Sequence, residues 1–379
     1  MTYEEAVSYI RETAVFGSKL GLDNIRCLLS LLGDPQEELR CIHIAGTNGK
    51  GSVAAYIDSV LKASGYRVGI YTSPELFRFS ERIRINDEEI SEEDIARYTT
   101  EVKRAADEMA SRREGTPTEF ELVMAMAFCY FRDKQTDAVI LEVGMGGRLD
   151  ATNVIRSSLL SVITKISYDH MQYLGDTLTA IAGEKAAIIK PGGRVIVYPP
   201  TQDVLTVYEE ECEKKEALLY VAGRAGRISS EVTEGQRFVF QGKEYVTAMP
   251  GIYEIDNASL AIQALELLKA ELAKITDDTI HEGIAKAVWP GRFEVLSKEP
   301  LVIADGAHNA DGARALAACL KVYFADRKVR LCVGILKDKQ YREMLELLLG
   351  IKVDRIEMHN EETIDVVQMV LAGKVNKSL

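Results

Sequence analysis

The chain has 379 residues, of which 47% are hydrophobic and 27% charged, and its formal net charge is −12. This length exceeds one ordinary core and predicts two domains, while the acidic balance argues against nucleic-acid binding, which needs a basic face. No run approaches the ~20 apolar residues of a membrane span, and the N-terminus lacks an apolar signal region, so we predict a cytoplasmic protein. Six scattered cysteines without a C-x-x-C pair indicate reduced core thiols.

Short apolar runs alternate with helical patterns along the chain. The predicted strands of the first part are 41–45, 66–72, 138–143, 159–164 and 194–198, and the predicted helices are 53–64, 91–113, 119–132 and 202–216. Continuous Val/Ile/Leu strands separated by helices predict a mostly parallel sheet covered on both faces. Residues 82–90 and 236–249 are predicted to form hairpins, because each run carries a turn signal at its middle.

The alternation restarts after Trp289-Pro290-Gly291, which predicts a domain boundary there. Residues 301–304 are predicted to form a short buried strand, and strand and helix patterns continue over 310–323, 329–334, 344–349, 355–358 and 364–371. The predicted fold class is therefore α/β: a P-loop-type ATPase domain with a mostly parallel sheet over 1–290, and a smaller Rossmann-like α/β domain over 291–379.

The most informative segment is Gly46–Ser52, which joins the first predicted strand to a helix. Its glycines would let backbone N–H groups approach phosphates, and the helix N-terminus adds positive potential. Lys50 would reach the outer phosphates, and Ser52 would hold a magnesium ion. The spacing departs from the strict P-loop pattern because Gly51 separates Lys50 from Ser52, so a plain glycine turn stays an alternative.

Two other strand ends carry polar residues. Glu142 ends a predicted strand and is followed by a glycine-rich segment, which favours a magnesium ligand over a bare strand end. His170 follows the strand at 159–164, and it is either a ligand of a second metal ion or a hydrogen-bonded structural histidine. Lys185 has small apolar neighbours on a helical stretch, but spacing alone does not distinguish it from a snorkelling surface lysine.

In the second predicted domain, polar residues again follow a strand. Asp305 and His308 lie in the turn before the helix at 310–323, where ligands bind in α/β sheets, whereas Asn309 is also expected to cap that helix. Arg292 follows the predicted hinge and is a candidate cation for phosphate groups held between the two domains.

Together these motifs resemble the folylpolyglutamate synthase / dihydrofolate synthase family of Mur-type ATP-dependent amide ligases. The resemblance extends to about residue 340 and rests on the order and spacing of its segments. These segments are Gly46–Ser52, Tyr71–Leu76, Glu142–Asn153, Ser167–Leu174, Gly183–Pro191, Trp289–Glu294 and Asp305–Gly312.

The resemblance implies a role for each group of residues. It implies ATP binding by Gly46, Thr47, Asn48, Gly49, Lys50, Gly51, Ser52, Asn257, Arg292, Asp305 and His308, with Asn257, Arg292, Asp305 and His308 at nucleotide- and glutamate-side positions. It implies two magnesium ions held by Ser52, Ser73, Glu142, His170 and Lys185, with a monovalent cation as a further candidate. It implies catalytic roles for Lys50, Glu142, His170 and Lys185, the last as a carbamylated lysine. Phe120, Asp150 and Ala151 are expected to bind the pterin substrate.

The implied reaction is the ATP-dependent ligation of L-glutamate to a folate-type carboxylate through an acyl phosphate. Dihydropteroate, reduced folates and both remain open as acceptors, with a weak preference for both. The alternatives are a Mur-type ligase acting on another acid and a nucleotide-binding protein that has lost ligation. The expected partners are small molecules only, namely folate or pteroate, L-glutamate and ATP, and the expected state is a monomer.

The chain departs from the family pattern in two places. Tyr253-Glu254 stands where the family usually has His-Gln, so the family's nucleotide contacts at this pair do not transfer directly to this chain. After Met358 we find no Gly-Ser-Leu-Tyr-like segment, so we expect either a shortened second domain or a further stretch of chain beyond Leu379.

Overall fold

The computed structural model describes residues 1–13, 21–335 and 340–350, together with the backbone of 353–358. The α-helices are α1 Tyr3–Glu12, α2 Asp23–Leu31, α3 Lys50–Ala63, α4 Glu92–Arg112, α5 Glu119–Asp133, α6 Met171–Leu174, α7 Leu178–Ala186, α8 Gln202–Lys215, α9 Glu254–Leu268, α10 Asp277–Lys286, α11 Ala310–Phe324 and α12 Tyr341–Leu349. The strands are β1 Cys41–Ala45, β2 Val68–Tyr71, β3 Ile83–Ile85, β4 Glu88–Glu89, β5 Ala138–Glu142, β6 Leu160–Ile163, β7 Arg194–Val197, β8 Leu218–Val221, β9 Gly226–Glu231, β10 Gly235–Phe240, β11 Lys243–Thr247, β12 Glu294–Lys298, β13 Leu301–Ala304, β14 Val329–Val333 and β15 Val353–Met358.

An eight-stranded sheet in the order β4-β3-β2-β5-β1-β6-β7-β8 forms the centre of the molecule. Six neighbouring strands pair in parallel, namely β2, β5, β1, β6, β7 and β8. At one edge, β3 and β4 pair antiparallel. The prediction of a mostly parallel sheet is therefore confirmed. Because β1 and β5 are neighbours, the loop after β1 and the carboxylate of Glu142 lie at the same edge of the sheet.

The central strands are apolar along their whole length because both faces of the sheet are covered. On β5, Val139 and Leu141 belong to a core with α1, α2, α4 and α5, whereas Ala138 and Ile140 belong to a core with α3, α9 and α10. Successive side chains of a strand point to opposite faces, so a strand between two helix layers shows no polar alternation.

The two predicted hairpins form, with one difference. β3 and β4 pair around Asn86 and Asp87, as predicted. β10 and β11 also pair antiparallel, and β9, which the sequence did not indicate, makes this a three-stranded sheet. The side chains of β9 are largely exposed, so it lacks the apolar alternation that identifies a half-buried strand.

The prediction of a buried strand at 301–304 is wrong about burial. β13 forms, but it pairs antiparallel with β12 in a separate two-stranded sheet, and Val302 is 43% exposed. An apolar run of four residues does not reveal whether helices will cover it. β14 and β15 pair in parallel, and the predicted segment 364–371 lies outside the described residues.

All six cysteines are unbonded, and Cys41, Cys129, Cys212 and Cys319 are buried as predicted. The core prediction is wrong for Cys332, which is exposed, and Cys27 is half-buried. Within the described ranges, no helix is both long and apolar enough to cross a membrane.

Candidate active site

The segment Gly46–Ser52, here called the phosphate loop, turns sharply between β1 and α3. Gly46 and Gly49 have φ angles of +148° and +92°, in the left-handed region that favours glycine. A Cβ atom at Gly46 would lie 1.8 Å from Oγ1 of Thr164, and one at Gly49 would lie 2.5 Å from Oδ1 of Asn257. The helix begins at Lys50 rather than at the predicted Val53, because Gly49 completes the turn in a single residue.

The chain that follows β6 holds the phosphate loop in place. The backbone N–H groups of Thr47 and Asn48 donate to the carbonyl oxygen of Lys165, at 2.9 and 3.3 Å. The amine of Lys50 crosses the loop and donates to the carbonyl oxygens of Gly46 and Thr47, at 3.2 and 3.3 Å. The first amides of α3 have no partner within the helix, so a cation and helix amides converge as an anion site requires.

The glycine between Lys50 and Ser52 has a packing reason. A Cβ atom at Gly51 would lie 2.5 Å from Nε1 of Trp289 and under 3.0 Å from two carbon atoms of the same ring. The indole therefore lies directly on the first turn of α3. This contact explains why the additional residue between Lys50 and Ser52 is a glycine.

Two cavities open at this edge of the sheet. The first, here called the loop cavity, has a volume of about 250 Å³. It is lined by every residue predicted to bind nucleotide or metal, namely Gly46–Ser52, Ser73, Glu142, His170, Lys185, Asn257, Arg292, Asp305 and His308. The second, here called the Phe120 cavity, has a volume of about 540 Å³ and is lined by Phe120, Asp150 and Ala151. Gly144, Met145 and Gly146 line both cavities, so the two adjoin.

Glu142 and Lys185 are a buried acid and a buried base in the loop cavity. Burial raises the pKa of Glu142, opposed mainly by the charges of Lys50 and Arg292. Burial, together with the nearby charge of Lys50, lowers the pKa of Lys185 to about 7. A substantial fraction of Lys185 is thus a neutral amine near pH 7, whereas an ordinary lysine would be neutral in fewer than one molecule in about a thousand.

The hydroxyl of Ser52 faces a carboxylate that sequence reasoning did not place in the site. Oγ of Ser52 donates to Oε1 of Glu254 at 2.8 Å, and Nδ2 of Asn257 donates to Oε2 at 3.0 Å. Glu254 is 0% exposed, and burial raises its pKa to about 7 although both hydrogen bonds oppose the shift. The only signal in the sequence was the Tyr-Glu pair that departs from the family pattern.

Asp169 connects the two predicted histidines, and sequence reasoning did not assign it a role. Its Oδ2 atom lies 3.5 Å from Nε2 of His308 and accepts from Nδ2 of Asn309 at 3.2 Å. Its Oδ1 atom lies 3.9 Å from Nε2 of His170, whose φ of +49° is uncommon for a residue other than glycine. Residues far apart in the sequence are thus adjacent at one carboxylate.

The segment after β13 is fixed by internal hydrogen bonds. Oδ2 of Asp305 accepts from the hydroxyl of Tyr253 at 2.8 Å and from the amide of Phe293 at 2.9 Å, and Oδ1 accepts from the amide of Ala307. Burial raises the pKa of Asp305. Asn309 caps α11 by accepting from the amide of Gly312 at 2.8 Å, which confirms its predicted capping role.

The phosphate loop and the start of α11 are joined by a set of contacts here called the clasp. Oδ1 of Asp311 lies 2.6 Å from Nζ of Lys165, and Oδ2 accepts from Nδ2 of Asn48 at 2.9 Å. Nδ2 of Asn309 also donates to Oδ1 of Asn48 at 3.0 Å. The clasp holds residues of the second predicted domain directly against the phosphate loop.

In the Phe120 cavity, Asp150 supports the glycine-rich wall from behind. Its Oδ2 atom accepts from the amides of Gly144 and Met145, and Oδ1 accepts from the amide and hydroxyl of Thr152. Four protein donors therefore occupy this carboxylate, and its substrate contact stays a prediction. Phe120 packs edge-on against Tyr71, with ring centroids 5.9 Å apart.

Arg82 is a buried cation of the Phe120 cavity that sequence reasoning missed. Its Nη1 atom donates to Oε1 of Glu119 at 3.0 Å, and its Nε atom lies 3.7 Å from Oε2 of Glu75. The segment around it was interpreted only as a hairpin, and nothing in its spacing indicated that the side chain turns inward.

The chemistry of the predicted metal ligands fits magnesium in part. The oxygens of Ser52, Ser73 and Glu142 are hard donors that suit Mg²⁺, whereas Lys185 becomes an oxygen ligand only as a carbamate. Throughout the part of the chain that the structure describes, no three His, Cys, Asp or Glu side chains form a metal-binding group. A Mg²⁺ ion that has one or two carboxylate ligands, with phosphate oxygens and water as its other ligands, needs no such group.

Comparison with known proteins identifies the family. Residues 44–265 match the Mur ligase middle domain, and residues 291–372 match the Mur ligase glutamate ligase domain. A dihydrofolate synthase/folylpolyglutamate synthase of Bacillus subtilis is 40% identical over 355 residues, covering 91% of this chain and 82% of that protein.

Solved structures agree with this assignment. A folylpolyglutamate synthase from Thermotoga maritima matches with a TM-score of 0.84 at 36% identity, covering 97% of this chain and 87% of that one. An FPGS–AMPPCP–folate complex matches with a TM-score of 0.85 at 33% identity, covering 100% of this chain and 94% of that one. The chain therefore belongs to the folylpolyglutamate synthase / dihydrofolate synthase family of Mur-type ATP-dependent ligases.

Proposed function

We propose that this ATP-dependent ligase joins L-glutamate to a folate-type carboxylate at the junction of the loop cavity and the Phe120 cavity. The observation that carries the proposal is the wall at Gly144–Gly146 that the two cavities share, because an extended acid bound in the larger cavity would then lie beside the phosphate loop. The acid would lie against Phe120 and Ala151, with its carboxyl end directed at the loop cavity. A cytoplasmic location and a monomeric state are part of the proposal.

ATP would bind with its phosphates on the phosphate loop and its remaining contacts at the domain joint. Lys50 and the first amides of α3 would contact the phosphates, and Arg292, which also lines the loop cavity, would add a second cation. Asn257, Asp305 and His308 complete the nucleotide and glutamate side. Cations beside a transferring phosphoryl group offset the negative charge that develops on it.

Two magnesium ions would be held by Ser52, Ser73, Glu142, His170 and the modified Lys185, and a monovalent cation is a further candidate. When bound, the ions would neutralise phosphate charge during transfer. The modification is a carbamate: the neutral amine attacks carbon dioxide, an N–C bond forms and a proton is released. The lowered pKa of Lys185 supports this step, because only the unprotonated amine is nucleophilic.

The substrate carboxylate would attack the γ-phosphorus of ATP, giving an acyl phosphate and ADP. The amine of L-glutamate would then add to the acyl carbon, and the tetrahedral intermediate would release phosphate and leave an amide. The clasp closes the second domain over the phosphate loop and would protect the acyl phosphate from water.

The first experiment measures ATP-dependent phosphate release with L-glutamate, comparing dihydropteroate, tetrahydrofolate and no acceptor. Release with dihydropteroate alone identifies a dihydrofolate synthase, with tetrahydrofolate alone a folylpolyglutamate synthase, and with both a bifunctional enzyme. Intact ATP binding without acceptor-dependent release would contradict the proposed substrate and favour another acid or a lost ligase activity.

Glu142→Ala tests the metal assignment. We expect the variant to fold normally and to lose ligation, because a magnesium ligand is removed while the surrounding strand keeps its apolar packing. Turnover and thermal unfolding are measured together, with Glu266→Gln, at a half-buried position on α9 that does not line either cavity, as the charge-removing control. Wild-type turnover in Glu142→Ala would rule out Glu142 as a ligand.

A further inference from the structure

Glu254 lies behind the loop cavity at the start of α9. Two residues that line this cavity, Ser52 and Asn257, both donate hydrogen bonds to its carboxylate. Glu254 itself is 0% exposed. A buried carboxylate is costly unless donors compensate it, so this arrangement needs an explanation beyond a favourable charge at a helix N-terminus.

The hydrogen bond to Glu254 determines how Ser52 presents its oxygen. A hydroxyl has one proton and two lone pairs. Because the proton of Ser52 is directed at Oε1 of Glu254, 2.8 Å away, the lone pairs remain available to the loop cavity. A cation in the loop cavity is coordinated by a lone pair of the hydroxyl oxygen, so the hydroxyl proton must point away from the cation.

We propose that Glu254 is a positioning residue that orients the Ser52 hydroxyl for a magnesium ion and keeps Asn257 against the phosphate loop. It acts through Ser52 and does not itself contact the ion or the nucleotide. The inference rests on the proposed function, because it takes Ser52 as a magnesium ligand. Residues behind a metal ligand commonly change metal affinity by about 10- to 100-fold when they are removed.

A carboxylate serves this purpose differently from an amide. Its two oxygens accept from Ser52 and Asn257 at the same time. A glutamine has one acceptor oxygen, so Asn257 would have to turn its amide, whose Oδ1 atom now packs closely against Gly49. Glu254→Gln is therefore expected to keep the contact with Ser52 and weaken the one with Asn257.

The test is the magnesium dependence of ADP binding to the full chain, measured by calorimetry without acceptor or glutamate. Fluorescence of Trp289, the single tryptophan, is a second readout because its ring lies on Gly51. We expect Glu254→Ala to raise the half-saturating magnesium concentration by about tenfold or more and Glu254→Gln by less. Glu266→Gln, which removes the same charge from the far end of α9, is the matched control and should match the wild type.

A double-mutant cycle with Ser52→Ala separates positioning from a general loss of structure. If Glu254 acts through Ser52, neither Glu254 variant changes the magnesium dependence further in the Ser52→Ala background. The inference would be overturned if Glu254→Ala raised the half-saturating magnesium concentration as much in the Ser52→Ala background as in the wild type. It would also be overturned if Glu254→Ala caused no rise in the wild-type background. If Glu254→Ala does not fold, Glu254→Met, which is close to glutamate in size but has no acceptor oxygen for Ser52, decides by the same criterion.

The cycle also distinguishes this inference from the proposed function. If Ser52→Ala leaves the magnesium dependence of ADP binding unchanged, Ser52 is not a magnesium ligand. The inference about Glu254 is then wrong as well. If Ser52→Ala changes the dependence and the Glu254 variants do not, only the inference is wrong.

Discussion

At the scale of single residues, Gly51 is defined by its contact with the indole of Trp289. The two residues belong to different parts of the chain, and a Cβ atom on the glycine would lie 2.5 Å from Nε1 of the ring. The contact ties the first turn of α3 to the segment that leads into the second domain. Any side chain here must displace an aromatic ring that packs against the core and lies under the guanidinium of Arg84.

We therefore expect Gly51→Ala to be poorly tolerated. Overpacking of this kind costs about 1–3 kcal/mol, and displacement of Trp289 should also weaken ADP binding. Denaturant unfolding and calorimetry with ADP measure the two effects. Gly226→Ala is the control, because a Cβ atom there has no neighbour within 4 Å. If Gly51→Ala binds ADP with wild-type affinity, the indole moves aside without disturbing the phosphate loop, and the expected effect on binding is wrong.

Lys185 makes the stability of the fold depend on pH. Its pKa is about 7 in the folded chain and 10.5 when unperturbed, so between these values the unfolded chain binds more protons. Stability therefore rises with pH across this window, and below about pH 7 the full cost of burying the charge is present.

Lys185→Met should stabilise the protein in buffer free of carbon dioxide. The gain, on the order of a few kcal/mol near pH 7, should shrink as the pH rises and vanish above 10.5, where the wild-type lysine is neutral in both the folded and the unfolded state. Denaturant unfolding over this range measures it, with Lys321→Met on an exposed helix face as control. A gain that is constant with pH would show that Lys185 does not titrate as inferred.

At the scale of elements, the carboxyl ends of β1, β5 and β6 bring the phosphate loop, Glu142 and His170 to one edge of the sheet. The clasp then connects this edge to α11 through Asp311. Lys165 is 44% exposed in this contact, so its ion pair with Asp311 contributes little stability. The clasp is thus better suited to a reversible closure than to holding the fold together.

Asp311→Ala should therefore affect turnover more than stability. We expect kcat/KM for ATP to fall about 3- to 10-fold, equivalent to roughly 1 kcal/mol, with a small change in the midpoint of unfolding. Asp326→Asn, which removes a charge just after α11, should behave like the wild type. A large loss of stability with unchanged kcat/KM would instead make the clasp a structural contact.

At the scale of the whole molecule, the second part of the chain is docked through an apolar cluster. Phe293 is fully buried and stacks on Tyr323, with ring centroids 5.6 Å apart, and both pack near Ile252 and Tyr253. The hydroxyl of Tyr323 donates to the carbonyl oxygen of Pro250 at 2.6 Å. The segment that leads into α9 therefore belongs to the interface between the two parts.

Phe293→Ala should destabilise this interface by about 3–5 kcal/mol through the cavity it leaves. We expect the second part to unfold before the sheet, which differential scanning calorimetry would record as a separate transition at lower temperature. Phe77→Ala, at a side chain that is 83% exposed, is the control for stability. A single transition at the wild-type temperature would contradict the proposed docking.

The mostly parallel sheet could be predicted from the sequence, and so could the convergence of polar residues at one edge of it. The apolar runs of β1, β5 and β6, and the polar residues at their ends, have their signals within a few neighbouring residues, so local pattern was sufficient. The resemblance added Lys185, Asn257 and the substrate residues, which now line the two cavities. Their roles in binding and catalysis, and the domain limits at 290 and 291, stay predictions.

Four contacts became visible only in the folded chain: Glu254 behind Ser52, Asp169 between two histidines, Arg82 in the Phe120 cavity and the indole on Gly51. The contact between Ser52 and Glu254 joins residues 202 positions apart. No local sequence pattern predicts such a contact, because the packing of distant elements determines which polar groups come together. The physical reason is that a sequence fixes the periodicity of each element, whereas partners across the fold are selected only when the elements pack.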